Sequence, residues 1–111
     1  MMGVMCPPDS SGPAVLERAL ISVAVGQEEP FEAAFSQAKE AIAAADGFRW
    51  LELHRGIERP GVYLLLVGWD SIEAHTTGFR GSDRFLRWRE LIGPYFAAPP
   101  DVEHYRPVVT R

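Results

Sequence analysis

The residues of this chain best suited to chemistry are Trp69 and the chain's three histidines. Trp69 and His75 are the strongest candidates among them. Trp69 closes the apolar run Val62–Trp69, and His75 follows about one turn into a predicted helix. An imidazole has an unperturbed pKa of about 6.5, so His75 is suited to orient a phenol or to take its proton. Trp69 is suited to stack on an aromatic substrate or to help hold a radical pair. Each also has a structural alternative, Trp69 as a core aromatic whose N–H is satisfied and His75 as a helix-packing or dimer-contact residue.

A second candidate group lies on the predicted strand before this run. Glu52 and His54 share one strand face and stand about 7 Å apart by strand rise. Together with His104 from the last predicted strand they would form a metal or proton-transfer cluster, or else an assembly without function. No His-x-His or His-x-x-x-His spacing supports a metal ion, and we therefore predict no metal site.

Two further sets of residues are candidates for binding a substrate. Arg89 and Arg87 in the last predicted helix would meet an anionic substrate or an oxygen species, and the alternative is that they are solvated or paired with Glu90. Large aromatic side chains would form the walls of a pocket or, equally well, plain core. These aromatic residues are Trp50, Tyr63, Phe79 and Trp88.

Length and composition bound the class of protein. A chain of 111 residues has room for one core, and its net charge of −4 with no basic cluster argues against nucleic-acid binding. No apolar stretch approaches the roughly 20 residues that span a bilayer, so we predict no membrane association. The single cysteine, Cys6, excludes an intrachain disulfide. The N-terminus does not read as a signal peptide, which predicts a cytoplasmic protein.

Periodicity divides the chain into a flexible tail, residues 1–14, and one domain, residues 15–111. The predicted elements are a strand over Val15–Val25, a helix from Glu28 to about Ala45, strands over Phe48–Gly56 and Val62–Trp69, a short helix ending near Gly78, a helix capped by Ser82 and a strand over Val102–Val109. The order β-α-β-β-α-β, with the second helix split, predicts a ferredoxin-like α+β fold.

Two local features mark where elements begin and end. Asp70 followed by Glu73 predicts an N-cap with an acidic partner for the short helix. Gly47 after Asp46 predicts a left-handed residue at the end of the first helix.

Helices on one face of such a sheet leave the other face without cover. We predict that Phe48, Trp50 and Trp69 lie on the uncovered face, where they are too large and apolar to remain in water. A second copy packed sheet to sheet would cover them and enclose a cavity. The sequence therefore predicts a homodimer.

The chain resembles the antibiotic biosynthesis monooxygenase family of dimeric α/β barrels from about Ala19 to Val109. The resemblance is carried by the order and spacing of short motifs. They are Gly26-x-x-x-x-Phe31, Asp46-Gly47-Phe48 with Glu52-Leu53-His54-Arg55, Val67-x-Trp69 before Ala74-His75, Ser82-x-x-Phe85 and Val102-Glu103-His104-Tyr105. It implies a dimeric barrel whose reaction, where there is one, uses molecular oxygen.

The resemblance favours one branch of this family over another. The haem-degrading members of the family need an Asn in the first strand and a His in the helix after Ser82-Asp83, and this chain has neither residue at these places. No dinucleotide fingerprint occurs either. We therefore predict a cofactor-independent monooxygenase of a small phenolic or quinol-type aromatic substrate, which His75 or His54 deprotonates. The alternative is a non-catalytic, dimeric small-molecule-binding or stress-associated barrel.

Overall fold

The computed structural model describes residues 13–109. Its elements in chain order are β1 (Val15–Ser22), α1 (Glu28–Ala43), β2 (Phe48–Arg55), β3 (Val62–Trp69), a short π-helix (Ala74–Phe79), α2 (Asp83–Ile92), a 3₁₀ turn (Gly93–Tyr95) and β4 (Asp101–Tyr105). Most of the predicted tail, with Cys6, lies outside the described residues. No helix in the described part of the chain is long and apolar enough to cross a bilayer.

The four strands form one antiparallel sheet in the order β2-β3-β1-β4. Both long helices pack on the same face of the sheet, which we call the covered face. This arrangement is the predicted ferredoxin-like α+β fold, and that prediction is confirmed. The split of the second helical segment into the π-helix and α2 is also as predicted.

Alternation along the two central strands decides which side chains meet the helices. Every second residue of β1 and β3 points to the covered face, where it packs on one stripe of α1. That stripe consists of Phe31, Phe35, Ala38 and Ile42, all buried. Glu17 is in phase with Ala19 and Ile21 of β1, so the strand places a carboxyl group among core residues.

The prediction that Phe48, Trp50 and Trp69 share the uncovered face is wrong for two of the three. Trp69 is fully buried on the covered face, and the Phe48 ring packs edge-on against it at 6.0 Å. For Phe48 the reason is a β-bulge between Phe48 and Trp50, because the extra residue breaks the alternation of β2. Trp69 lies on the covered face because it is in phase with the buried Tyr63, Leu65 and Val67 of β3, whose alternation is regular. Trp50 pairs with Gly68 and lies on the uncovered face.

Two predicted boundaries also change. β4 ends at Tyr105 and does not continue to Val109, because Pro107 lacks the N–H that a continuing strand would donate. β1 ends at Ser22, and Val23 forms only an isolated bridge to Phe96.

The residue that caps the His75 segment differs from the predicted one. Ser71 is the cap, since its Oγ accepts a hydrogen bond from the Ala74 N–H at 3.1 Å. Asp70 does not cap the segment, and its carboxylate instead accepts a hydrogen bond from the Arg49 guanidinium at 3.0 Å. A serine hydroxyl provides the same kind of cap as the predicted carboxylate, so the start of the segment is preserved.

Gly47 adopts the predicted left-handed backbone, with φ at +85°, but it does not end the helix, since α1 ends at Ala43 and Gly47 lies in the turn before β2. A Cβ at this position would lie 2.7 Å from the Ala74 Cβ, whereas a Cβ at Gly26, where φ is +83°, would meet nothing within 4 Å. We expect Gly26→Ala to cost about 1–2 kcal/mol of stability from backbone strain alone. Gly47→Ala should cost a further 1–3 kcal/mol or so for the steric overlap.

Chemical denaturation of both variants measures this difference. Because the backbone strain is common to the two, their difference isolates the contact between the Gly47 turn and the start of the His75 segment. Equal losses of stability would show that this contact is not close.

Candidate functional site

A large cavity lies between the covered face of the sheet and α2. It has a volume of about 1160 Å³, and its body is apolar. The apolar lining includes Ala19, Ile21, Ile42, Leu65, Phe79, Phe85, Trp88, Ile92, Phe96 and Val102. Its polar lining includes Glu17, His75 and Arg80, which lie together where β1, the π-helix and β4 meet, and Arg89 and Glu90 on α2.

Glu17 and His75 form the buried polar end of this cavity, and Trp69 contacts both of them. The Trp69 Nε1–H donates to Glu17 Oε1 at 3.0 Å, and His75 Nε2 lies 3.4 Å from the same oxygen. The imidazole stacks on the indole with ring centroids 5.2 Å apart and planes at 19°. Glu17 and His75 are 4% and 3% exposed, so all three groups are held away from bulk water.

His75 also contacts His104 through its other nitrogen. His75 Nδ1 and His104 Nε2 are 2.8 Å apart, and His104 is the cross-strand partner of Glu17. His75 therefore contacts His104 through Nδ1 and Glu17 through Nε2, on opposite edges of its ring. A single metal ion could not be bound by both edges at once. Among the described residues, no group of three or more His, Cys, Asp or Glu side chains has a metal-holding arrangement.

Burial and neighbouring charge shift the protonation of this cluster. Burial, assisted by the nearby Arg80 and His104, lowers the pKa of His75 to about 3. Burial and Arg80 also lower the pKa of His104. Burial raises the pKa of Glu17, against the opposing effects of the Trp69 hydrogen bond and Arg80. His75 is therefore neutral at pH 7, and its 3.4 Å contact with Glu17 is not an ion pair.

The predicted site residues fall into two groups on opposite faces of the sheet. The covered face holds Trp69, His75 and His104 together, and Phe79, Trp88 and Arg89 line the cavity beside them. The uncovered face holds Trp50 and His54, and His54 Nε2 contacts Glu52 at 2.9 Å. The structure therefore does not bring His54 and Glu52 together with His104.

Tyr63 is on the covered face but outside the large cavity. Its hydroxyl donates to Glu32 at 2.5 Å, and Arg55 pairs with the same carboxylate. Burial and this carboxylate raise the pKa of Tyr63 to about 12. These residues line a separate pocket of about 390 Å³ between α1 and the sheet.

Residues 14–91 match the antibiotic biosynthesis monooxygenase family. The chain belongs to this family. The protein YczJ of Bacillus subtilis (strain 168), whose function is uncharacterised, is 38% identical over 94 residues, which cover 85% of this chain and 99% of YczJ. The predicted resemblance is thereby confirmed.

Two solved structures superpose on this chain over most of its length. A Bordetella bronchiseptica protein classed with the antibiotic biosynthesis monooxygenases is 41% identical and superposes with a TM-score of 0.83, over 86% of this chain and 97% of that one. SnoaB, a cofactor-independent oxygenase from Streptomyces nogalater, has a TM-score of 0.75 at 18% identity, over 86% and 94% of the two chains. At that identity the likeness to SnoaB concerns the fold alone.

Glu17 and Arg80 are members of this polar cluster that the sequence interpretation missed. A signal for Glu17 is present in the sequence, because it is in phase with Ala19, Ile21 and Val23 on the apolar side of β1. A carboxyl group in that phase must be buried, and burying it is costly unless it is paired. Arg80 follows the π-helix with no pattern of its own, and only the fold brings it to the cluster.

The low pKa of His75 predicts a specific pH dependence of stability for this family member. Between about pH 6.5 and 3 the unfolded chain binds a proton at His75 that the native chain excludes. The free energy of unfolding should therefore fall as the pH is lowered, by up to about 1.4 kcal/mol per pH unit from this residue. Glu17 acts in the opposite direction, since its raised pKa gives stability that is lost as the pH rises.

Denaturation of the wild type and His75→Gln from pH 7 to pH 4.5 separates these effects. The variant should show a smaller loss of stability on acidification, because glutamine does not titrate. His54→Gln, which replaces an imidazole on the uncovered face away from Glu17 and His75, is the matched control. Parallel curves for wild type and His75→Gln would contradict a buried, neutral His75.

Proposed function

We propose that this protein is a cofactor-independent monooxygenase of a small hydroxylated aromatic substrate, acting in the cytoplasm. The observation that carries the proposal is the cavity, whose apolar body would accept aromatic rings and whose buried polar end presents Glu17 and His75. Membership of the antibiotic biosynthesis monooxygenase family and the fold shared with the oxygenase SnoaB support it.

An anthrone-like phenol is an example of a suitable substrate. Loss of a proton near His75 makes an electron-rich anion, which reacts directly with molecular oxygen. Over the whole reaction, a substrate CH₂ group loses two hydrogens and gains one oxygen atom as C=O. The second oxygen atom leaves as water with those two hydrogens, and the substrate supplies all the electrons. The apolar walls formed by Phe79, Trp88 and their neighbours would keep water from the reactive intermediate.

Oxygen uptake by the purified protein tests this proposal. We expect uptake well above the spontaneous rate with at least one member of a panel of hydroquinones and anthrone-like phenols. His75→Ala should reduce it about 100-fold, the usual size of a lost acid–base contribution. Loss of uptake in His54→Ala instead would place the reaction on the uncovered face. Tight binding of these phenols without uptake would contradict the enzyme and support the non-catalytic binding protein.

We also propose that the protein is a homodimer formed through the uncovered face of the sheet. In one copy this face presents a contiguous apolar surface made by Leu16, Leu20, Trp50, Leu64 and Leu66, all only half-buried. Such a surface is typical of an interface between copies. Sedimentation should show a dimer for the wild type and a monomer for Leu66→Glu. A monomeric wild type at micromolar concentration would refute the dimer.

A further inference from the structure

Glu17 is a buried carboxyl group to which the reaction above assigns no role. It lines the cavity at 4% exposure, and its two polar contacts described above, with Trp69 and His75, both fall on Oε1. Its second oxygen is therefore the one open to a ligand. A core carboxyl group of this kind costs folding free energy, and such a cost is typical of functional sites.

We propose that Glu17 takes the proton from the substrate hydroxyl, and that His75 and His104 connect Glu17 to solvent as a proton relay. This inference deepens the proposed function and rests on it, because it assigns the base in the same cavity. It replaces His75 as the direct proton acceptor and gives His75 the role of a carrier.

The contacts allow the relay to run with every proton accounted for. The substrate proton arrives on Oε2 of Glu17, and rotation of the carboxyl group then presents it to His75 Nε2. As His75 Nε2 takes this proton, the His75 Nδ1–H passes to His104 Nε2. His104 then releases its Nδ1 proton at β4, where the residue is half-buried. The reverse sequence returns a proton to the oxygen atom that leaves as water, so the relay consumes no proton overall.

The surroundings of Glu17 favour it over His75 as the group that holds the proton. The polar and charged groups facing it are Trp69 from β3, His75 from the π-helix, Arg80 after that helix, and His104 from β4. Burial raises the pKa of Glu17, whereas the pKa of His75 is lowered to about 3. His75 is therefore suited to pass a proton on and not to keep it.

This assignment narrows the class of substrate. A buried carboxylate repels a ligand that arrives as an anion and favours one that arrives neutral with a proton to give. Phenols and enols meet this condition at neutral pH, and carboxylic acids, already ionised, do not. Arg80 then lies close enough to Glu17 to offset the negative charge that develops on the ligand after proton transfer.

A nitronaphthol is the probe we would use, because its anion absorbs visible light and no oxygen chemistry is needed to see it. Bound to the wild type it should ionise, with an infrared C=O band of a protonated carboxyl group appearing at the same time. Glu17→Gln keeps an oxygen for the Trp69 N–H and should therefore fold and bind the probe. It should show at least about tenfold less ionised probe and no carboxyl band.

Two further variants complete the test. His75→Gln should leave the carboxyl band in place, because Glu17 still receives the proton. His104→Gln should also keep the band but slow repeated turnover of an anthrone-like phenol about tenfold. Full probe ionisation in Glu17→Gln, or its loss in His75→Gln alone, would overturn the assignment to Glu17. Unchanged turnover in His104→Gln would overturn the relay.

The failure of this inference can be told apart from the failure of the proposed function. If the wild type consumes oxygen with a phenol and Glu17→Gln does so equally well, the monooxygenase stands and the assignment to Glu17 falls. If the wild type neither ionises the probe nor consumes oxygen with any phenol, both fall together.

Discussion

Replacing Trp69 by alanine is expected to lower the free energy of unfolding by about 3–5 kcal/mol. The indole is fully buried, stacks on His75, packs on Phe48 and Phe79, and holds Glu17 through its N–H. Its removal leaves a large void and an underpaired carboxyl group. Chemical denaturation should place this variant close to the limit of folding, and enzyme activity should be lost with it.

Trp69→Phe separates packing from the hydrogen bond. Phenylalanine keeps much of the ring but not the N–H, so the buried Glu17 carboxyl group loses its hydrogen-bond donor. We expect this to lower the free energy of unfolding by about 1–3 kcal/mol, less than the loss in Trp69→Ala. The folded variant should retain the cavity but react more slowly, since Glu17 and His75 lose a shared support. Equal stability of Trp69→Phe and the wild type would show that the contact with Glu17 contributes little.

Replacing Arg80 by glutamine is expected to reduce turnover of a phenolic substrate about 10- to 100-fold. Arg80 lines the cavity, and its charge influences the protonation of Glu17, His75 and His104. Without it, an anion formed beside Glu17 loses its nearest compensating charge. The pKa values of His75 and His104 should rise in the variant, because Arg80 lowers both.

Arg84→Gln is the matched control for this prediction. Both arginines are exposed and lie near the start of α2, but Arg84 is not part of the cavity lining. Neither substitution should change the melting temperature by more than a small amount, because exposed charges contribute little to stability. Steady-state oxygen uptake by the two variants gives the comparison. An equal loss in both would point to a general effect of surface charge.

Much of the fold follows from local patterns that can be recognised in the sequence. The alternation in β1 and β3, the single stripe of α1 and the left-handed Gly47 all act over a few residues, so periodicity and turn chemistry are enough to predict them. Phe48 lies on the covered face because one bulged residue reverses the alternation of β2, whereas Trp69 reaches the same face through the regular alternation of β3. Nothing local in the sequence marks such a bulge.

The candidate site was predictable only in part, for a related reason. Trp69 and His75 are close in sequence, and a strand end followed by a short helix is enough to bring them together. The contact of His75 with His104, and of both with Glu17, depends on β4 returning to pair with β1. His54 and His75 lie on opposite faces of the sheet, and the sequence alone does not show which face each residue is on.

A crystal structure of the protein with a dihydroxyanthraquinone, a ligand that is already oxidised, would show directly where an aromatic substrate binds. We expect its rings to lie among the apolar residues of the cavity between the sheet and α2, with one hydroxyl within hydrogen-bond distance of Glu17 or His75. A ligand bound on the uncovered face, beside Trp50 and His54, would contradict this expectation.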